Sequence, residues 1–338
     1  MAYRDISDIL LSEGTLFELY ASKGYDQTLA ALRIAEDKIN ARILAIGGDT
    51  WTKRKLNEIK ALIQKEISAS YGGLFEDMQN ESVSTATITA GAIAGNVNQK
   101  LPTSAINDII SSNREIQLGM IDNKVPQMYT FKEIFNLQED EHIRAMKRVI
   151  SAGVAQGLVA NTIVRNMGIA NRKETKKLER NIFTVIADSR QRGNAEAYKE
   201  LERLGVNSYY EHLSVLDSKT SVHICVPRDG RRYYQKWENI GQQNIPPLHM
   251  NCRSLLSLRT GSDLSDTRPS QFGEIKDLTY KEWFPKQPDW FQKQVLGKKK
   301  FDLFKNGQFK INGLPDIGNK KLNINDIKSS LDRYSQGD

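Results

Sequence analysis

"NRKETKKLERNIFTVIADSRQRGNAEAYKELERLG", Asn171 to Gly205, is the stretch whose reading decides the fold. Leu178, Ile182, Val185, Ile186, Ala197 and Leu201 recur at spacings near three and four, which places them on one face of an α-helix. Gly205 supplies the stop, because glycine enters the left-handed conformation that ends many helices without a steric penalty. Gly193 lies inside the pattern, where glycine costs about 1 kcal/mol against alanine. It is therefore expected at a packing site where another backbone presses close.

Upstream of this helix the chain keeps the same period. "DQTLAALRIAEDKINARILAI" sets Leu29, Leu32, Ile34, Ile39 and Ile43 at helical intervals. A longer pattern begins near Thr50 and runs through "KRKLNEIKALIQKEISASYGGLFEDM", with Gly72-Gly73 expected to break or bend it. "STATITAGAIAGNVNQKL" is rich in small residues, with Gly91 and Gly95 four apart, and reads as a close helix contact or a loop. "DEHIRAMKRVISAGVAQGLVANTIVRNMG" resumes helix, with interruptions expected around Gly153 and Gly157. His142 lies among charges there and is expected at the surface.

Downstream of Gly205 the texture changes. "VNSYYEHLSVL", "RRYY" and "CRSLLSL" are rich in aromatic, β-branched and leucine residues and are separated by turns such as "RDG". They predict a small β-containing unit from about Val206 to Leu258. "RTGSDLSDTRPSQFG" reads as a polar linker. Two short helices follow. Thr279 and Glu282 form a capping box ahead of "YKEWF", and "PDWFQKQVLG" opens on proline and closes on glycine.

These readings predict an α+β chain: a predominantly helical N-terminal two-thirds, a small antiparallel β-containing unit and a short helical C-terminal extension. The predicted divisions are residues 1–136 (helical), 137–258 (helices plus the β unit), 259–278 (linker) and 279–338 (basic extension).

The 338 residues are 39% hydrophobic and 26% charged, the composition of a soluble globular chain. No run approaches the roughly 18 apolar residues of a membrane span. Asp5 and Asp8 stand where a signal peptide would be basic, so synthesis in the cytoplasm without an export signal is expected. The net charge is +7, and much of it gathers near the C-terminus. Lys298, Lys299, Lys300, Lys305, Lys310, Lys320 and Lys321 are opposed in that interval only by Asp302 and Asp316. Such a segment is either a solvated surface or a contact for the phosphates of double-stranded DNA, bound without sequence preference.

Four histidines and two cysteines make one constellation of interest. His223 and Cys225 are two apart, so an extended strand would turn them to one face. His249 and Cys252 are three apart behind Pro246-Pro247, in "IPPLHMNCRS". Two soft-ligand pairs separated by a loop are the general layout of a tetrahedral zinc site, with His212 and Asp217 in reserve. A second reading is a tight corner that uses buried cysteines as small apolar filler. A third is a cysteine nucleophile activated by His249, for which no orienting third residue is evident. No phosphate-cradling glycine loop and no helical HExxH motif is present.

Taken in order, several of these elements resemble the Mu F-like phage head morphogenesis (minor head protein) family. The likeness rests on Arg190, Asn194 and Ala195 in the helix, then Gly205-Val206, then Leu216-Asp217 with Thr220 and Cys225. Asp229-Gly230 and the closing Pro246-Pro247, His249 and Asn251-Cys252-Arg253 complete it. It covers roughly Leu137 to Leu258, about a third of the chain, and the C-terminal stretch from Thr279 is similar to the extension of many such proteins. Lys219 stands where an arginine is common in the family, and Ser254 where many members have a further cysteine.

The resemblance implies a non-enzymatic minor capsid component of a tailed bacteriophage. It would be made in the host cytoplasm and sit in the virion, inside the head near the portal. Its partners would be the portal protein and the major capsid or scaffolding protein, and its role would be to aid head assembly and DNA packaging or ejection. Asp217 and Thr220 would shape a turn through side-chain-to-backbone bonds, and the "PPLHMNCR" segment would close the β unit. Rival readings are a toxin-like or other enzyme carrying a Mu F-like module, or a nucleic-acid-binding protein.

Overall fold

The computed structural model describes residues 29–46, 51–72, 129–205, 208–260, 267–276 and 278–308, with 26, 84, 104, 124, 125 and 311 as isolated positions. The small-residue stretch with Gly91 and Gly95, and Lys310, Lys320 and Lys321, lie outside the described residues. The chain is a helix-dominated α+β protein with a small three-stranded antiparallel sheet. Its described residues form two compact units, one drawn from residues 15–86 and 114–189, the other from residues 87–113 and 190–338.

The first unit is built from helices α1 (residues 29–46), α2 (53–72), α3 (Phe131–Ala155) and the first thirty residues of α4 (Ala160–Arg203). A two-residue antiparallel pair, β1 (Lys124–Val125) and β2 (Tyr129–Thr130), leads into α3. Thr130 caps that helix. Its Oγ1 accepts from the Glu133 N–H at 3.2 Å, while the Glu133 carboxylate accepts from the Thr130 N–H at 2.7 Å.

The core is the apolar stripe of each helix: Leu32, Ile39 and Ile43 of α1, Ile59, Ile63 and Ile67 of α2, Met146 and Ile150 of α3, and Ile163, Met167, Leu178, Ile182 and Ile186 of α4. Ile34, by contrast, faces out. The expected interruption at Gly153 does not occur. α3 runs through it to Ala155, and a Cβ there would come within 2.7 Å of the Ile163 side chain. Glycine is what lets the start of α4 pack that close. The break comes at Gly157, with φ +66°.

His142 is not at the surface. It is fully buried in this unit, and the four helices each give one member of a chain of bonds around it. Tyr71 Oη lies 3.2 Å from His142 Nδ1, His142 Nε2 lies 2.8 Å from Asn171 Oδ1, and Asn171 Nδ2 donates to Glu36 Oε2 at 2.5 Å. An amide oxygen only accepts, so Nε2 carries the proton and Nδ1 accepts from the tyrosine hydroxyl. Burial depresses the pKa of the ring and keeps it neutral. The flanking charges that made the position look exposed lie on the other helical faces.

The second unit begins within α4, which continues past the buried Gly193 to Arg203 and is followed by Gly205 at φ +75°. Strands β3 (Ser208–Leu213), β4 (Arg232–Tyr233) and β5 (Leu255–Thr260) form the antiparallel sheet in the order β4-β3-β5. The register pairs Tyr210 with Leu258 and His212 with Leu256. One sheet face therefore carries Tyr210, Leu256 and Leu258, which cluster with Ala197, Tyr198 and Leu201 of α4 and with Trp237. Gln191 fixes the layer: its amide donates to the Leu256 carbonyl at 3.3 Å and accepts from the Leu256 N–H at 3.0 Å.

The stretch expected to be a linker carries an antiparallel hairpin, β6 (Thr267–Ser270) and β7 (Gly273–Lys276). Helices α5 (Tyr280–Trp283), α6 (Asp289–Leu296) and α7 (Lys298–Lys305) follow. Tyr280, Trp283, Phe284, Phe291 and Leu296 build an aromatic core that takes in Leu216 and Val226 from the β unit.

Candidate metal centre

Two loops of the second unit bring the soft-ligand side chains together. The first runs from Leu216 to Gly230. Asp217 Oδ1 accepts from the backbone N–H groups of Lys219 (2.9 Å) and Thr220 (3.0 Å), and the Thr220 hydroxyl reaches back to the Val215 carbonyl at 2.5 Å. Past this turn the backbone coils helically, with Cys225 N–H donating to the Ser221 carbonyl and Asp229 N–H to the Cys225 carbonyl, each at 3.0 Å. The second loop passes through the cis Pro246-Pro247 bond and closes with Cys252 N–H donating to the His249 carbonyl at 3.1 Å, with Asn251 at φ +62°.

Arg253 ties the two loops to each other. Its guanidinium forks onto Asp217, Nη1 to Oδ2 at 2.5 Å and Nη2 to Oδ1 at 2.7 Å. That cation and the bonds from Lys219 and Thr220 overcome the effect of burial and hold the Asp217 carboxyl below its ordinary pKa. Asp217 is thus committed to the turn and to Arg253, and not to a metal.

Beside this fork, ligand atoms of Cys225, His249 and Cys252 all lie within 4.8 Å of one another. Cys225 Sγ is 3.0 Å from His249 Nε2 and 4.0 Å from Cys252 Sγ. In a tetrahedral zinc site two sulfurs sit about 3.8 Å apart, and a sulfur and an imidazole nitrogen about 3.5 Å, from bond lengths near 2.3 and 2.0 Å. For the two distances given, the donors lie within about half an ångström of that arrangement.

The imidazole is also oriented for it. His249 Nδ1 is 2.8 Å from the Met250 carbonyl, which only accepts, so Nδ1 carries a proton and Nε2 points its lone pair at the sulfurs. A bond from the Cys225 thiol, helped by His249, pulls the Cys252 thiol well below its usual range. The same bond to Cys252, together with burial, pushes Cys225 up. Burial would lower the pKa of His249, but the Cys252 sulfur raises it above the ordinary value. Two buried sulfurs and one fixed imidazole form a group that can hold a metal ion.

His223 is not part of this group. The expectation that it would join Cys225 assumed an extended strand, in which residues two apart share a face. The backbone instead turns helically over this segment, where residues two apart diverge by about 200°. His212 is not a member either. It is fully buried on β3, its pKa lowered to about 4 by burial, with both ring nitrogens unbonded among the described residues. It lies close enough to Cys252 for the sulfur to favour its protonated form.

Of the C-terminal lysines, Lys298, Lys299 and Lys305 of α7 are exposed and Lys300 is half-buried. Lys305 pairs with Asp289 at 2.8 Å, and Lys298 approaches Asp302 at 3.8 Å.

A further cluster gathers around Asp229, which the sequence marks only through its Asp229-Gly230 turn. The buried Asp229 carboxylate accepts from the Ser214 N–H (2.6 Å), the Tyr280 N–H (2.5 Å) and both terminal nitrogens of Arg268 (3.2 Å each). Arg268 also donates to the Leu278 carbonyl at 3.0 Å and to the Ser214 carbonyl. Asp229-Gly230 belongs to the family resemblance as a turn, but Arg268, its buried partner, lies in a polar stretch with no period.

Comparison with protein-family models, curated proteins and solved structures finds no match to this chain. No helix among the described residues is long and apolar enough to cross a membrane.

Proposed function

We propose that this chain is a minor head protein of a tailed bacteriophage, held in the capsid interior near the portal, whose β unit is stapled by a zinc ion on Cys225, His249 and Cys252. The observation that carries the reading is the junction of Asp217 with Arg253 beside that trio. The motif residues that resemble the Mu F-like family are spread along the sequence from Arg190 to Arg253. Among them, Asp217 bonds to Thr220 and Arg253, and Cys225, His249 and Cys252 lie together.

The nature of this junction favours a structural role over a catalytic one. Cys225 and Cys252 are 2% and 1% exposed, so neither sulfur offers a substrate a surface to approach. An interior protein that meets packed DNA needs a stable fold and cationic patches, and the exposed lysines of α7 suit that without sequence selection.

The test is mass spectrometry of purified procapsids and mature particles from the phage that encodes the chain. The protein is expected in both or either at low copy number, and absence from both would sink the head-protein reading. Elemental analysis of protein purified without chelator should find one zinc per chain.

A further inference from the structure

We infer that the first unit carries an anion-binding cleft for a ligand with several phosphate groups, at a place unrelated to the C-terminal lysines. This goes beyond the head-protein reading and does not rest on it.

The cleft has a volume of about 620 Å³ and is lined by Lys60 of α2 and by Glu141, Arg144, Lys147, Arg148 and Ser151 of α3. Residues 141, 144, 148 and 151 recur at helical spacing, so they form one ridge, and Lys60 faces it from α2. Four of the six lining side chains are cations.

The single carboxylate does not neutralise them. Glu141 is taken by Lys177, whose Nζ approaches to 2.6 Å, and it acts on Arg144 and Arg148 only through space. Lys147 is anchored by its bond to Gln64 Oε1 at 2.6 Å, a neutral partner that leaves its charge uncompensated. Among the described residues, Lys60, Arg144 and Arg148 make no ion pair. Arg144 and Arg148 are exposed.

A patch of this kind draws its ligand by charge and selects it by geometry. Guanidinium groups fork onto phosphate oxygens through two parallel N–H bonds, and Arg144 and Arg148 rise from Cβ atoms only about 6 Å apart. They can therefore hold neighbouring phosphates at once, with Lys60 and Lys147 as point charges on either side. A single inorganic phosphate would leave most of the cleft volume to water, whereas a chain of phosphates would fill it. The shared chemistry is a linked phosphate series, whether a free polyphosphate compound or the backbone of nucleic acid.

The test uses the full chain with two probes, tripolyphosphate and a short duplex DNA of arbitrary sequence, measured by calorimetry and by anisotropy at low salt. Tripolyphosphate is expected to bind once per chain. In R144Q/R148Q, where both changes are at exposed positions, its affinity should drop at least about tenfold. The variant K298Q/K299Q/K305Q should bind tripolyphosphate as the wild type does. If DNA competes with tripolyphosphate and loses affinity in R144Q/R148Q, the ligand is a nucleic-acid backbone; if it does not compete, the ligand is a free polyphosphate. The inference is overturned if neither probe binds at about 1 mM. It is equally overturned if a folded R144Q/R148Q protein, checked by its thermal melt, binds tripolyphosphate like the wild type.

Discussion

Asp229 shows how one residue can fix several elements. Its carboxylate is completely buried, yet every strong acceptor direction is filled by a backbone N–H or by Arg268. Removing it leaves the Arg268 guanidinium buried without a counter-charge, so Asp229→Ala should cost about 3–5 kcal/mol in urea melts. Lys298→Ala, at an exposed pair 3.8 Å long, should stay within about 0.5 kcal/mol. Equal effects at the two sites would contradict the assignment of the buried pair. His142 yields a pH prediction from the same logic. Burial holds its folded-state pKa below the ordinary 6.5, so the unfolded chain binds the proton more readily. Its contribution is fully present above about pH 6.5 and is lost as pH falls toward the folded-state value. His212, also depressed, acts in the same direction. The comparison must therefore be between wild type and His142→Gln, in which the loss of stability from pH 7 to 5 should be smaller. A pH profile unchanged by the substitution would show that the ring is not held neutral by the fold.

At the scale of elements, the knuckle around His249 is where sequence and geometry meet most directly. With zinc bound, Cys252→Ala would remove one of three protein ligands and cost the β unit much of its folding energy; without it, the change deletes a small buried side chain for about 1–2 kcal/mol. Chelator should therefore lower the melting temperature of the wild type and leave Cys252→Ala unmoved. A wild type indifferent to chelator would leave the corner a packing device. How well each element could be read depended on whether its cause was local. The ends of α5 and α6 and the stop after α4 are set by residues within a few positions, and Thr279, Glu282, Pro288, Gly297 and Gly205 mark them in the sequence. The trio of Cys225, His249 and Cys252 was legible because its members are rare residue types. His223 misled because it was judged by strand spacing in a segment whose Asp217 turn coils the backbone. Hairpin β6–β7 could not be seen, since its stability comes from the distant Asp229 gripping Arg268 and not from any alternation of its own.

At the scale of the whole molecule, the basic C-terminal stretch has to be weighed as part of a core before it is weighed as a charge. Phe301, Leu303, Phe304 and Ile311 pack with Phe284, Phe291 and Leu296, and that cluster reaches back to Leu216 and Val226 in the loop that carries Cys225. Phe284 and Phe304 lie edge to face with centroids 5.6 Å apart. Cutting the chain after Leu296 would therefore strip apolar cover from the aromatic core as well as removing lysines. Burial of one such aromatic side chain is worth roughly 2–3 kcal/mol, so the truncated protein should melt markedly lower or aggregate, and its loss of DNA binding would say nothing about charge. Substitution separates the two effects. K298Q/K299Q/K305Q changes only exposed side chains, and its melting temperature should stay close to that of the wild type. If α7 touches duplex DNA, the salt dependence should become shallower, by about 0.9 in log–log slope for each phosphate that the variant no longer neutralises. A variant that folds normally and keeps the full wild-type slope would leave α7 as a helix that serves the core on one side and water on the other.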